Sequence, residues 1–227
     1  GTSLREREGI KGILREPVGL FIDEARHLFV EDTPLQAVLQ YMAENEIGQV
    51  VIVNQVGGFR GIVDEECLLK RLIGKKFGIR VAEVMSEIVH SIPPETNLLE
   101  AAHMMVDLMV RRLVVLREKT PLGVLTVTDI LNYVLAKEMH IEMLLYELSV
   151  EEALETKVEQ VMSKEVLSVA PESDLGEAID ATINNDVSGL VVVDSKGEVA
   201  GVVSRIDMLS GLVRSKGAPA VLEMLVK

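Results

Sequence analysis

The sequence predicts an α+β protein built from three tandem β-α-β-β-α units. Three short aliphatic runs, each closed by a polar residue, recur along the chain: Val50–Asn54, Leu113–Arg117 and Leu190–Asp194. After a turn-forming stretch each is followed by a run that opens with Gly and two aliphatics, at Gly61-Ile62-Val63, Gly123-Val124-Leu125 and Gly201-Val202-Val203. A helix start signal stands ahead of each pair. The same features in the same order, three times, identify a repeat.

Taken in order, each unit opens with a matching segment: Ile10-Lys11-Gly12-Ile13-Leu14, Val81-Ala82-Glu83-Val84-Met85 and Val158-Glu159-Gln160-Val161-Met162. A short first strand is expected around Ser91-Ile92-Pro93 and Ser168-Val169-Ala170. The helix that follows starts at Asp32-Thr33-Pro34-Leu35-Gln36, with Thr33 as N-cap, Pro34 at the first helical position and Gln36 completing a capping box. Thr96 and Ser173 fall at the matching offsets, and Ala101 and Ala178 share one small-residue position for close packing. The β-branched runs then read as buried strands. Turn signals at Val56-Gly57-Gly58, Lys119-Thr120-Pro121 and Asp194-Ser195-Lys196-Gly197 make each pair a hairpin.

The spacing divides the chain into a tail (1–9), repeat one (10–75), repeat two (80–138), a helical connector (139–155), repeat three (156–214) and a C-terminal tail (215–227). Gly61 and Gly123 lie 62 residues apart and Gly123 and Gly201 78. The extra length falls mainly in Met139–Thr156, which carries its own Ser149-Val150-Glu151-Glu152 start signal. This predicts that repeats one and two pair closely and that repeat three stands apart.

Composition narrows the function. Aromatics are 3% and Trp is absent, so the core is aliphatic, with ten Met as gap-fillers. No apolar run approaches the roughly 18 residues of a membrane span. The first residues, Gly-Thr-Ser-Leu-Arg-Glu-Arg-Glu, contain no apolar signal region, and the leading Gly is expected to mark a processed terminus. A cytoplasmic protein is the simplest expectation. A formal charge of −13 without basic runs argues against a long nucleic acid, though not against one small anion at a helix N-terminus. The single Cys67 excludes an intramolecular disulfide and is expected to be a small buried hydrophobe. His27, His90, His103 and His140 form no metal-spaced cluster. No Walker A loop, Gly-x-Ser-x-Gly elbow, HExxH or Ser/His/Asp set is present, so no enzyme is expected.

At the end of each unit, Gly123-Val124-Leu125-Thr126-Val127-Thr128-Asp129 and Gly201-Val202-Val203-Ser204-Arg205-Ile206-Asp207 share a Gly-h-x-(Ser/Thr)-x-x-Asp pattern, where h is apolar. Repeat one departs from it with Gly61-Ile62-Val63-Asp64-Glu65-Glu66-Cys67. With these strings in a repeated β-α-β-β-α frame, the chain from about Ile10 to about Val213 resembles the CBS domain, the cystathionine-β-synthase-type regulatory module. The resemblance implies sheets paired about a pseudo-two-fold axis (a Bateman module) and sensing of an adenosine-type ligand: AMP, ADP, ATP, S-adenosylmethionine, NAD or cyclic di-AMP. It assigns the ribose hydroxyls to Asp129 and Asp207, and ribose or phosphate contacts to Thr126 and Ser204.

Elementary chemistry points the same way. A strand running straight into a helix aims free N–H groups and partial positive charge at a phosphate. A carboxylate one turn in suits a cis-diol. Arg205 stands beside that helix start. Repeat two has Val127 there, so Arg111 and Arg112 are its candidate cations, the alternative being a solvated turn. Ser91, Ile92 and Ser168 are the expected wall for the base. The same Ser/Thr-x-x-Asp string is also a helix capping box that needs no ligand, and one residue can play both parts.

The functional expectation is a nucleotide-sensing module using repeats two and three, with repeat one's site degenerate. The alternative is a structural or dimerisation module that regulates a partner protein by contact. An unpaired repeat three predicts a homodimer through that repeat, or else a fourth repeat beginning in Gly217–Lys227.

Overall fold

The computed structural model describes residues 17–21, 27–139 and 150–227. Repeat one contains β1 (Leu28–Val30), α1 (Leu35–Asn45), β2 (Gln49–Val53), β3 (Phe59–Asp64) and α2 (Glu65–Leu69). Repeat two contains β4 (Ser91–Ile92), α3 (Leu98–Leu108), β5 (Arg112–Arg117), β6 (Thr120–Thr126) and α4 (Val127–Met139), followed by α5 (Val150–Leu154). Repeat three contains β7 (Ser168–Val169), α6 (Leu175–Asn184), β8 (Gly189–Val193), β9 (Val199–Ser204) and α7 (Arg205–Lys216); α8 (Ala218–Val226) closes the chain. The segments Val81–Glu83 and Val158–Gln160 are 3-10 turns, while Ile10–Leu14 and most of the expected connector lie outside the described residues.

Each repeat folds into one three-stranded sheet in sequence order, its first pair parallel and its second antiparallel. The register repeats as well, with Leu28 opposite Val51, Ser91 opposite Val114 and Ser168 opposite Val191. A left-handed residue other than glycine precedes each middle strand at one equivalent position: Glu46 (φ 54°), Met109 (φ 53°) and Asp186 (φ 50°). Such residues end helices at small steric cost, and here they turn the chain sharply into the strand.

The helix starts differ from expectation by one residue. The N-caps are Pro34, Asn97 and Asp174 rather than Thr33, Thr96 and Ser173. Asn97 and Asp174 accept from the N–H of Glu100 and Gly176, the short Asx side chain reaching the first turn better than the residue before it. Pro34 offers no side-chain acceptor, so repeat one's helix starts uncapped. Ala101 and Ala178 are fully buried, as close packing requires.

The pairing of repeats is the principal correction to the sequence reading. One continuous core joins repeat one to repeat three, bringing Leu39, Met42, Leu69 and Leu72 together with Ile179, Met208, Leu209 and Leu212, all fully buried. Helix α8 lies against the same helices through Val221 and Leu225, so the predicted C-terminal tail is an integral element. Repeat two keeps its own smaller core around Leu98, Leu113 and Leu125. Sheet to sheet, repeat two faces repeat three. The turn before β4 adds to the edge of β9 through Ser86 and Val202, and the turn before β7 adds to β6 through Ser163 and Val124. Repeat three is thus covered on both sides, and the reason for expecting its self-association is removed.

The 62-residue spacing misled because the tie between repeats is made by backbone. Val81 and Ala82 donate to Ser173 and Pro171 O, and Val158 and Glu159 donate to Thr96 and Pro94 O. Asp174 adds side-chain bonds to the N–H groups of Phe77 (3.1 Å) and Gly78 (2.8 Å).

Candidate functional site

The face-to-face sheets of repeats two and three enclose a cleft of about 810 Å³, a volume suited to a nucleotide-sized ligand. Its walls are aliphatic, with Val114 and Val124 of one sheet facing Val191 and Val202 of the other. Both strand-to-helix junctions open into it. At each, the polar pair forms a reciprocal capping box. Asp129 N–H donates to Thr126 Oγ1 (3.1 Å) and Thr126 N–H donates to Asp129 Oδ2 (2.9 Å). In repeat three, Asp207 N–H donates to Ser204 Oγ (3.1 Å) and Ser204 N–H to Asp207 Oδ2 (3.0 Å). Each carboxylate therefore uses one oxygen for its own helix and keeps Oδ1 for a hydroxyl donor from the cleft. The cap and the ligand readings are compatible on one residue.

The arginines divide into one held and one unheld. Arg205, 8% exposed, donates through Nε to Val187 O (2.8 Å) and contacts Glu66 (3.2 Å) and Asp186 (3.5 Å). Glu66 comes from α2 of repeat one and also meets Lys70 at 2.8 Å; the bonds and charge of Lys70 hold its carboxyl below the usual range. Arg112 is half-buried at the head of β5 and makes no hydrogen bond or ion pair among the described residues. Burial, and then the like charge of Arg205, weaken its hold on its proton relative to an ordinary guanidinium, though an arginine stays protonated at any physiological pH. A cation in that situation is stabilised by an arriving anion.

Arg112 also crosses between repeats. Its guanidinium lies against Gly189 at the head of β8, where any Cβ would stand 3.3 Å from it and 2.8 Å from Val203 O. Gly189 occupies the position in repeat three that Arg112 occupies in repeat two, so the glycine leaves room for the other repeat's arginine.

Seven of the sequence-predicted residues line the cleft together: Arg111, Arg112, Thr126, Asp129, Ser204, Arg205 and Asp207. Ser91, Ile92 and Ser168 do not. Ile92 is buried in repeat two's own core, and the residues near the first strands that do line the cleft are Ile88, His90 and Leu167, just ahead of them. Regular alternation would place Ile88, His90 and Ile92 on one face. The strand covers only Ser91–Ile92, so the alternation breaks before it reaches them.

Sequence reasoning also missed the acids of repeat one. Glu65 reaches the cleft, and burial pushes its carboxyl above the ordinary glutamate value. At the third junction, Asp64 accepts from Cys67 N–H (2.8 Å), keeping the cap without a carboxylate one turn in. Cys67 is exposed rather than buried. Partial desolvation and the charge of Asp64 raise its thiol pKa, which disfavours a reactive thiolate. Among the described residues no group of His, Cys, Asp and Glu is placed to hold a metal ion, and no helix is long and apolar enough to cross a membrane.

Comparison with known proteins places this geometry. The family model of the CBS domain matches residues 27–74, 81–136 and 158–214. An uncharacterised 33.4 kDa protein in the ribosomal RNA operon of Thermofilum pendens is 28% identical over 85% of the chain. The chain spans 63% of that relative's length. An uncharacterised protein of Methanocaldococcus jannaschii, MJ1426, is 23% identical, with 90% of each chain covered. Among solved structures, MJ1225 of the same organism, proposed as an archaeal homolog of g-AMPK, superposes with a TM-score of 0.76 at 22% identity, covering 90% of this chain and 73% of that one. CBSX2, solved in complex with AMP, gives a TM-score of 0.51 at 22% identity over 61% of this chain and 99% of its own.

Proposed function

The chain belongs to the CBS domain family, and on that premise we propose that it is a regulatory module whose cleft between repeats two and three takes an adenosine-type nucleotide. The observation that carries the reading is Arg112, a half-buried cation without a partner among the described residues, in a cleft that also holds two carboxylates with a free oxygen each. Asp129 or Asp207 accepts from the ribose hydroxyls, Arg112 receives the phosphate, and the aliphatic walls with Ile88 and Leu167 receive the base. Thr126 and Ser204 hold the carboxylates in place and present the N-termini of α4 and α7. Arg111, exposed at the rim, adds long-range attraction. Arg205 has a structural part here, because Glu66 and Asp186 already neutralise it. The AMP bound by CBSX2 supports the ligand class, and adenine nucleotides, S-adenosylmethionine, NAD and cyclic di-AMP are the candidates within it.

A thermal-shift and calorimetric panel over those compounds tests the reading. A ligand present at 100 times its dissociation constant stabilises the chain by about 2.7 kcal/mol. Asp129→Ala or Asp207→Ala is expected to lower affinity by roughly ten- to a hundredfold, the loss of a charge-assisted hydrogen bond. Affinity unchanged by both substitutions overturns the site.

A further inference from the structure

Three arginines line the cleft among the described residues, and they are not equally available to an anion. Arg111 is exposed at the rim, where water and salt screen it. Arg112 is half-buried and meets no acid among the described residues. Arg205 is the most buried of the three and stands between Ser204 and Asp207 at the junction itself. Burial and position suit it to a phosphate, yet its charge is already balanced. Glu66 Oε2 lies 3.2 Å from its Nη1, and Asp186 Oδ1 lies 3.5 Å from its Nη2.

The two acids differ in weight. The side chain of Asp186 is 90% exposed, so solvent screens most of its pull. That of Glu66 is 31% exposed, and Lys70 fixes its other oxygen, Oε1, at 2.8 Å. Held on one side by Lys70, the carboxylate presents Oε2 to Arg205 on the other. Its neighbour Glu65 reaches into the cleft directly. A Cβ on Gly48 would stand 2.8 Å from Glu65 Oε2, so a side chain there would displace this second carboxylate.

Both acids belong to repeat one, which gives no strand to the cleft. The matching positions are Val127-Thr128 in repeat two and Arg205-Ile206 in repeat three, neither with an acid. The repeat that lacks the inner carboxylate thus directs two carboxylates of its own at a site built by the others. We propose that repeat one sets how many phosphates the cleft accepts: Glu66 withholds Arg205 from the ligand, so Arg112 matches one phosphoryl group and a second or third finds no cation. This selectivity rests on the nucleotide reading of the cleft and narrows it to a nucleoside monophosphate. A polyphosphate has to displace Glu66 from Arg205 or bring its charge beside Glu65, and like charges in a partly desolvated cleft repel strongly.

Calorimetric titration of the full chain with AMP and with ATP, magnesium absent, is the test. The parent chain is expected to bind AMP about tenfold tighter than ATP, or more, the worth of one charge-assisted contact. Glu66→Gln keeps the shape of the contact and removes its charge, freeing Arg205. The ATP-to-AMP affinity ratio is then expected to rise about tenfold or more. The gain runs through Arg205, so in an Arg205→Met background Glu66→Gln is expected to leave the ratio where it was. A merely structural brace would move both affinities together. ATP bound by the parent chain as tightly as AMP, or a ratio indifferent to Glu66→Gln, overturns the proposal while the nucleotide site stands. A parent chain that binds no adenine nucleotide overturns the reading of the cleft itself, and this selectivity with it.

Discussion

Repeats one and three carry the same backbone to the same strand-to-helix junction, yet Asp64-Glu65-Glu66-Cys67 does different work from Ser204-Arg205-Ile206-Asp207. In repeat three the carboxylate sits one turn into the helix and the hydroxyl caps it. In repeat one the carboxylate has moved to the cap itself and a thiol occupies the inner position. Either arrangement satisfies a helix N-terminus, but only the first leaves a carboxylate oxygen facing a cleft. The two acids that follow Asp64 then take a new part. Glu66 reaches across to hold Arg205, the residue that lies between the two members of repeat three's own site pair, Ser204 and Asp207. A junction can thus lack the inner carboxylate, keep its fold and brace its neighbour.

The largest effect that separates these repeats is expected at their glycines. A Cβ at Gly176, in the first turn of α6, would stand 1.9 Å from the carbonyl oxygen of Lys75, which is backbone and cannot rotate away. Gly176→Val is expected to cost about 3 kcal/mol or more in urea denaturation. Gly61→Ala, with open space around it among the described residues, is expected to be close to neutral. Similar losses at both would mean that the repeat one–repeat three junction is not where the structure puts it.

Next in size is Arg112→Met. Affinity for phosphate-bearing ligands is expected to fall about ten- to a hundredfold, the worth of one charge-assisted contact. Adenosine without phosphate should bind as before, and the free protein should lose no stability, because a half-buried charge without a partner among the described residues has been removed. Equal losses for adenosine and AMP would move the phosphate elsewhere.

A smaller effect is expected in acid. Burial raises the pKa of Asp174, but backbone N–H groups of Gly176, Phe77 and Gly78 outweigh it and hold the carboxyl below its ordinary value. A depressed carboxyl contributes stability above the unfolded-state value of about 3.9 and loses it as pH falls through the folded-state value. Urea midpoints measured downward from pH 5 should therefore fall more steeply in the parent chain than in Asp174→Asn. Parallel curves would remove Asp174 as the tie between repeats.

The smallest expected effect is no change at all. Cys67→Asp restores the inner carboxylate to repeat one, but Glu65 and Glu66 stay at the helix start and no second sheet faces it among the described residues. No adenine binding should appear at that repeat by titration in an Asp129→Ala/Asp207→Ala background. Binding gained there would mean that one carboxylate is enough to make a site.

The repeats, their strands and both capping boxes were legible in the sequence because each depends on side chains with local meaning. Val50–Val53, Leu113–Leu116 and Leu190–Val193 are strands by composition, and Thr126 with Asp129 is a cap by spacing. The pairing of repeats was not legible. It rests on backbone bonds from Val81 and Ala82 to Ser173 and Pro171, and any sequence offers those donors and acceptors. Gly61, Gly123 and Gly201 are one letter in three settings, two gripping a foreign backbone and one open. Arg112 was found as a candidate cation, but its reach into repeat three follows from pairing and not from its neighbours. Ile92 was placed in the right strand but faces its own core, whereas Ser91 and Ser168 pair with the cleft-lining Val114 and Val191 without lining the cleft themselves, a distinction that two-residue strands carry too little periodicity to show.

The core that joins the two ends of the chain has a consequence for biosynthesis. Leu39 and Met42 are covered by α7 and α8, so on a ribosome repeat one emerges complete and waits with its helices bare while repeat two is made. The last seals come later still: Lys75 Nζ donates to Met224 O and Arg71 to Leu225 O across 149 and 154 residues of sequence. Contacts of that span close slowly and leave apolar surface exposed meanwhile. Repeat two, with a core of its own, can fold early and serve as the platform on which the two termini meet.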